Sequence, residues 1–405
     1  MTVKKISLSR VLPYLVLLLA LALSVGMFAM YGIHNLDADM SSEMELAQLL
    51  NEEGGFMTEN WYNSTELRVI SPVPVYQLGL LLFDSWHMAR TFSIAVLLCG
   101  AAASLLYAMR GAGVKDAAVF ASAAIVLPFS EAYVFLFTYG AFYTVYFMAA
   151  CWVLGILLRL DRKKGRVLRL VLLGALGFWY GLSGVRMLMI CGAPLLLACG
   201  LLAFVRLTQS DSLKAWAASQ EAPLLGGSLI LFAGMAAGYL VNSRLFAETF
   251  HFTEYGDEMI QGFSASMLLE QMDDLFLFFG FREGVPLLSI QGICSLAALF
   301  LAFAVVAAPV VLLFCRKLTV QERMVPLFSL CAVGLGVLLN GVTGRIGSPY
   351  AAAYFMAGLL LAVFCVFFLA EKLPVRMPAL RTLLLAGLVL VFALEARCFL
   401  GSRFQ

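Results

Sequence analysis

The chain has 405 residues, 62% hydrophobic and 13% charged, with a net charge of +2 and a mean hydropathy of +0.93. Soluble globular proteins average about 45–50% apolar and about 25% charged residues, so this composition excludes a water-soluble enzyme, a disordered chain and a nucleic-acid binder. The small charge gives no sign of a polyanionic partner. What remains is an all-α, polytopic membrane protein.

A bilayer-crossing helix needs about 20 mostly apolar residues, or about 17 at the short end. Eleven segments are read this way, over Val11–Tyr31, Thr91–Met109, Ala117–Pro128, Ala141–Leu158, Val167–Tyr180, Met187–Val205, Leu225–Val241, Gln291–Phe314, Val325–Leu339, Ala351–Leu369 and Leu380–Leu394. The third and fifth are short, which fits tilted, broken or protein-buried helices. Lys4, Lys5 and Arg10 precede a first segment longer than the 7–15 apolar residues of a signal core, so it is read as a retained helix. The whole of residues 1–405 is expected to form a single transmembrane domain without a separate soluble part.

Orientation follows from the basic residues. With the N-terminus in the cytoplasm, 19 of the 27 Lys and Arg residues face inward, including DRKKGR at Asp161–Arg166, and every lysine is among them. These inner loops are short and contain no Walker motif or Gly-rich phosphate fingerprint. Two outer loops are long, about 34–74 and about 242–290. Long ordered loops in a compact protein usually carry function. The first holds eight acids against Arg68 alone. Its Met40, Met44, Leu46, Leu49 and Leu50 are spaced as an amphipathic helix on the outer leaflet. Met259–Phe281 in the second has a similar face, interrupted by Glu270, Asp273 and Asp274.

Three constellations can carry chemistry. Asp37-Ala-Asp39, just after the first helix, offers a general base at the membrane surface or a pair of oxygen ligands for a divalent cation; the plain alternative is a solvated acidic loop. The outer arginines, above all Arg186 in GLSGVR and Arg345 in GVTGRIGSPY, suit a phosphate held by a bidentate fork, with Tyr350 assigned to the same substrate-binding set. Their alternative is snorkelling to lipid headgroups. Glu131, in Pro128-Phe-Ser-Glu-Ala-Tyr133, is a substrate-site candidate if it lies at membrane depth and a turn residue if it lies at the surface. Around it, Tyr133, Tyr139, Tyr143 and Tyr146 are expected to form an interfacial belt or a platform for a sugar ring. Asn63-Ser-Thr65 matches a glycosylation sequon, and Gly174-Ala-Leu-Gly177 permits close helix packing. The nine cysteines show neither metal-ligand spacing nor a disulfide framework.

Together, His34-Asn-Leu-Asp37-Ala-Asp39-Met-Ser-Ser-Glu43, the following Glu45–Leu50, Asn60–Arg68 and Gly181–Arg186 resemble the GT-C superfamily of integral-membrane glycosyltransferases. This group includes protein O-mannosyltransferases, the catalytic subunit of oligosaccharyltransferase and lipid A aminoarabinose transferases. The resemblance implies an inverting enzyme of the cell envelope that moves a sugar from a polyprenyl-phosphate donor to a glycan, lipid or protein acceptor on the outer face. It also implies that a first-loop aspartate is the base or helps bind a divalent cation. Alignment on Ala47 points to Asp39, with Asp37 second, and the late-loop arginine that engages lipid phosphate would be Arg345. Two departures stand out: there is no Asp-Glu pair at the base position, and no large outer C-terminal domain. The competing expectations are a transporter or flippase of a lipid-linked or small anionic substrate, and a membrane scaffold.

Overall fold

The computed structural model describes residues 8–63, 67–252, 265–343, 355–375 and 377–403. Seventeen helices follow one another among them. The first part of the chain forms α1 (Leu8–Tyr31), α2 (Ala38–Glu53), α3 (Val73–Leu82), α4 (Trp86–Ala112), α5 (Asp116–Ile125), α6 (Glu131–Tyr133), α7 (Thr144–Leu157) and α8 (Arg166–Gly181). It continues with α9 (Ala193–Thr208), α10 (Leu213–Ala217), α11 (Glu221–Val241), α12 (Ala247–Thr249), α13 (Ala265–Phe278), α14 (Ile290–Phe314), α15 (Val320–Thr343), α16 (Met356–Lys372) and α17 (Pro378–Arg403). Wide π-helical turns at Val134–Thr138, Leu188–Gly192 and Asn242–Phe246 extend α6, begin α9 and lead on from α11.

Seven stretches are long and apolar enough to cross a membrane: Val11–Tyr31, Trp86–Ala112, Leu188–Thr208, Glu221–Thr249, Ile290–Phe314, Val320–Gly341 and Pro378–Phe399. Their outward faces carry side chains such as Leu18 and Leu19, 62% and 70% exposed, an apolar surface that acyl chains rather than water would cover. The chain is thus a multi-pass, all-helical membrane protein. The other four expected segments fall on α5, α7, α8 and α16, which are shorter, with 10, 14, 16 and 17 residues.

Position explains how the shorter helices are tolerated. Residues 117–125 of α5 are buried on every side, as expected of a helix that is apolar all round. The chain then leaves the helix at Val126–Ser130, again wholly buried. Irregular backbone at membrane depth persists only where protein surrounds it, and here Ser24 of α1 donates to the Val126 carbonyl at 2.7 Å. α16 is nearly as enclosed.

The connections between helices fall at two ends of the bundle. At one, basic side chains bond to backbone carbonyls and to an acid. Arg159 donates to the carbonyls of Tyr107 (2.7 Å) and Gly155, Arg169 donates to those of Arg159 and Arg162, and Lys372 pairs with Glu322 at 2.7 Å. At the other lie α2, α3 and the turns after α6, α8 and α11. There the two long loops meet in a short parallel pair, Tyr62–Asn63 beside His251–Phe252.

α2 is amphipathic as expected, but its apolar face is turned to protein rather than to a leaflet. Met40, Met44, Ala47 and Leu50 are buried, and the last three pack with Val73 and Tyr76 of α3 and Ala89 of α4. The reason is that α3 and the start of α4 present an apolar surface at the same height.

The closest helix pair is α8 with α11. A Cβ at Gly177 or Gly181 would land on the carbonyl oxygens of Leu231 or Met235, and one at Gly238 on that of Phe178. Backbones approach this closely only through small residues, which fulfils the Gly174–Gly177 expectation. Gly181→Ala and Gly238→Ala are therefore expected to destabilise the detergent-solubilised protein by about 1–3 kcal/mol, the usual scale of overpacking. Gly226→Ala, with nothing within 4 Å of its would-be Cβ, should leave the thermal midpoint unchanged or raised.

Candidate functional site

The acidic first loop begins where α1 ends. Asp37 is the N-cap of α2, its carboxylate accepting the Met40 N–H at 2.8 Å, as short acids do at a helix start. That contact leaves Asp37 partly committed to structure. Asp39, one position into the helix, is exposed. Its carboxyl is held above the ordinary range first by partial burial and then by the neighbouring Asp37 charge, while Arg68 acts in the opposite sense. Gly54, in the left-handed conformation, terminates the helix.

One turn on from Asp39, Glu43 points inward between the buried Met40 and Met44. Its Oε2 is sealed from solvent and has no hydrogen-bond partner among the described residues. Burial raises its pKa to about 8, although Arg68 and Arg90 both favour the charged form; Asp39 and Asp37 act with burial. Glu43 thus stands protonated, or nearly so, at neutral pH.

Arg90, in the first turns of α4, is 4% exposed. Its guanidinium donates to the carbonyls of Met40 (3.3 Å) and Tyr139 (3.0 Å), and sits 5.8 Å from the ring centres of both Phe28 and Tyr76. A buried arginine held by carbonyls and ring faces keeps its charge without a bonded carboxylate. The Tyr76 hydroxyl donates to the next carbonyl, Gly140, at 3.2 Å. The turn so held contains Ala141 at φ 59°, a left-handed conformation that a non-glycine residue keeps only where its surroundings enforce it.

Arg186 reaches the same turn from the other side. It is 5% exposed, donates to the Tyr143 hydroxyl at 3.4 Å and lies 5.8 Å from that ring's centre. The GLSGVR turn that carries it is tied to the first loop. Ser183 accepts the Ile70 N–H at 2.5 Å, and Asn242 donates to the carbonyls of both Leu67 and Leu182. Arg68 lies between these anchor points. A buried, ring-stacked guanidinium is not a snorkelling one, so the expected headgroup alternative does not describe Arg186.

Other expectations fare differently. Glu131 is exposed at the start of α6; the adjoining Ser130 bonds to the Phe278 carbonyl at 2.6 Å and Phe129 packs on Phe278, Phe279 and Phe392. Its segment therefore leans on α13 and α17. Tyr133, Tyr139, Tyr143 and Tyr146 are buried, so they form no interfacial belt: the turn that carries them is folded into the bundle. Arg345 and Tyr350 lie outside the described residues, as do Ser64 and Thr65 of the sequon.

For a divalent cation the fit is poor. Among the described residues no group of three His, Cys, Asp or Glu side chains converges, and Asp37 already spends an oxygen on its cap. No step is assigned to a metal.

Glu43 and Arg90 were not picked out from the sequence as site residues, yet both left a signal. Glu43 falls on the Met40–Met44–Ala47 stripe, where an acid is out of place, and Arg90 interrupts an apolar helix one turn in. No model of a known protein family matches the chain, and no curated protein matches it.

The Glu43 carboxyl has a consequence for stability. Below about pH 4.5 it is protonated folded or unfolded. Between 4.5 and about 8 only the unfolded chain readily gives up the proton, so the folded state loses stability as pH rises through that window. The thermal midpoint of the wild type should fall from pH 5 to pH 9, and Glu43→Gln should flatten the decline and melt higher than wild type at pH 9.

Proposed function

We propose that the chain is a membrane glycosyltransferase of the GT-C kind, with eleven crossings, a cytoplasmic N-terminus and its site at the outer membrane edge. The observation that carries this reading is the seating of the acid-bearing α2 at one end of the bundle, beside Arg68 and Arg90, with Arg186 on Tyr143 of the turn that Arg90 also holds. The opposite end carries the inner-type basic loops, which supports the orientation.

The donor is a sugar on a polyprenyl phosphate, its chain lying along the apolar outer face. Burial of each isoprenoid CH₂ contributes about 0.8 kcal/mol. Asp39, exposed and not committed to the cap, removes the proton of the acceptor hydroxyl or amine. The freed electron pair attacks the anomeric carbon, whose bond to the phosphate oxygen breaks with its electrons going to the phosphate. Arg186, and Arg345 from the late loop with Tyr350, offset the charge gathering on that phosphate. A single displacement inverts the anomeric centre. Glu43 and Arg90 position α2 and the Tyr139–Tyr143 turn. Glu131 stands as an outlying candidate for contact with the donor or acceptor. The transporter alternative asks for ionisable groups in the span midsections. The buried acid of α17, Glu395, instead sits near the Cys398 end, beside Gly280.

Sugar transfer from a polyprenyl-phosphate donor in isolated membranes tests the proposal. Asp39→Asn should lower the rate by about 10²-fold or more, the scale of a lost general base. Asp37→Asn, which still caps α2, should lower it far less. Full activity in both variants would contradict the aspartate-base reading.

A further inference from the structure

At the edge that carries the candidate site, but on helices it does not use, two thiols face each other. Cys294 lies in the first turn of α14 and Cys398 near the end of α17, 104 residues apart, with their sulfurs 2.6 Å apart. The two side chains thus already stand within reach of a disulfide, whose bond of about 2.05 Å needs an approach of only about half an ångström more. Cys294 is 9% exposed and Cys398 half-buried, so a reagent arriving from the membrane edge meets Cys398 first. The neighbouring Ser295 accepts the Arg282 N–H at 2.8 Å and donates to its carbonyl at 2.9 Å, fixing the chain that enters α14.

We propose that Cys294 and Cys398 form a disulfide that staples α17 to α14 at the exoplasmic edge. The placement outside rests on the orientation given under the proposed function, because thiols persist as disulfides in oxidising compartments and not in the cytosol. The oxidant is the disulfide of an exoplasmic dithiol–disulfide exchange protein. The Cys398 thiolate attacks one of its sulfurs, giving a mixed disulfide and releasing one thiol. Cys294 then attacks Cys398 Sγ and releases the second. Two protein thiols lose two electrons and two protons, and the oxidant leaves as a dithiol. The other seven cysteines stay reduced: Cys151, Cys191, Cys199, Cys331 and Cys365 are buried, Cys315 closes α14 at the basic end, and Cys99 lies exposed midway along the apolar span Trp86–Ala112.

Alkylation of the full chain with a PEG-maleimide in SDS counts its free thiols. Wild type isolated without reductant should take seven additions and, after reduction, all nine of its cysteines. Cys294→Ser should take eight under both conditions, one more than wild type without reductant despite having one cysteine fewer. Nine additions to unreduced wild type would overturn the disulfide. A Glu59→Cys variant, with its new thiol on the exposed first loop, reports sidedness independently through an impermeant maleimide on intact cells. Nine additions to unreduced wild type, with the introduced thiol of the variant labelled from outside, refute the disulfide alone. The same nine additions, with the introduced thiol reached only after permeabilisation, refute the outward orientation as well.

Discussion

The candidate site depends on one buried cation. Arg90 takes two backbone carbonyls that no regular hydrogen-bonding pattern would join, Met40 of α2 and Tyr139 of the irregular turn, and fastens both to α4. A guanidinium is suited to this because it presents several donors in one plane, stacks on rings and keeps its charge when enclosed. Arg90 adds to the apolar contacts of α2 with α3 and α4 and, together with the Tyr76 hydroxyl, holds the turn that contains Ala141.

From that fastening the rest of the edge follows. Seating α2 buries the Met40–Leu50 stripe and carries Glu43 inward with it, while leaving Asp39 on the open side. Holding the Tyr139–Tyr143 turn gives Arg186 its partner, Tyr143. The Ser183 and Asn242 contacts then bring the segment with Arg68 alongside. Charges of both signs thus gather at one end of an apolar bundle, and the bulk of the lysines and arginines collects at the other. Under the proposed function, the first end would receive the lipid-linked anion and its acceptor. Under the same proposal, the second end would face the cytoplasm.

Much of this was legible in the sequence for identifiable reasons. Length and hydropathy located the helices, because a bilayer imposes a length on them, and the Gly174–Gly177 spacing marked a close pair. The short α5 was legible as short, with burial by protein as one of three readings, since burial on all sides by other helices leaves the same apolar run as lipid does. Orientation of side chains was less readable. The tyrosines of the Pro128–Tyr146 region look like a belt until the turn is seen to fold inward, and α2 shows an apolar stripe without saying whether lipid or protein covers it. Arg90 escaped notice because its carbonyl partners lie 49 and 50 residues away in sequence, and Glu43 because the cations that act on it, Arg68 and Arg90, come from other segments. The Cys294–Cys398 contact, between residues 104 apart, escaped for the same reason.

Binding of a polyprenyl phosphate to the purified protein in nanodiscs, without acceptor, tests the central claim most directly. The account predicts that Arg186→Gln weakens binding by about tenfold or more, the loss expected for a charge-assisted hydrogen bond of roughly 1.5–3 kcal/mol, and that Arg110→Gln at the opposite end leaves it unchanged. Equal affinity in wild type and both variants would contradict it.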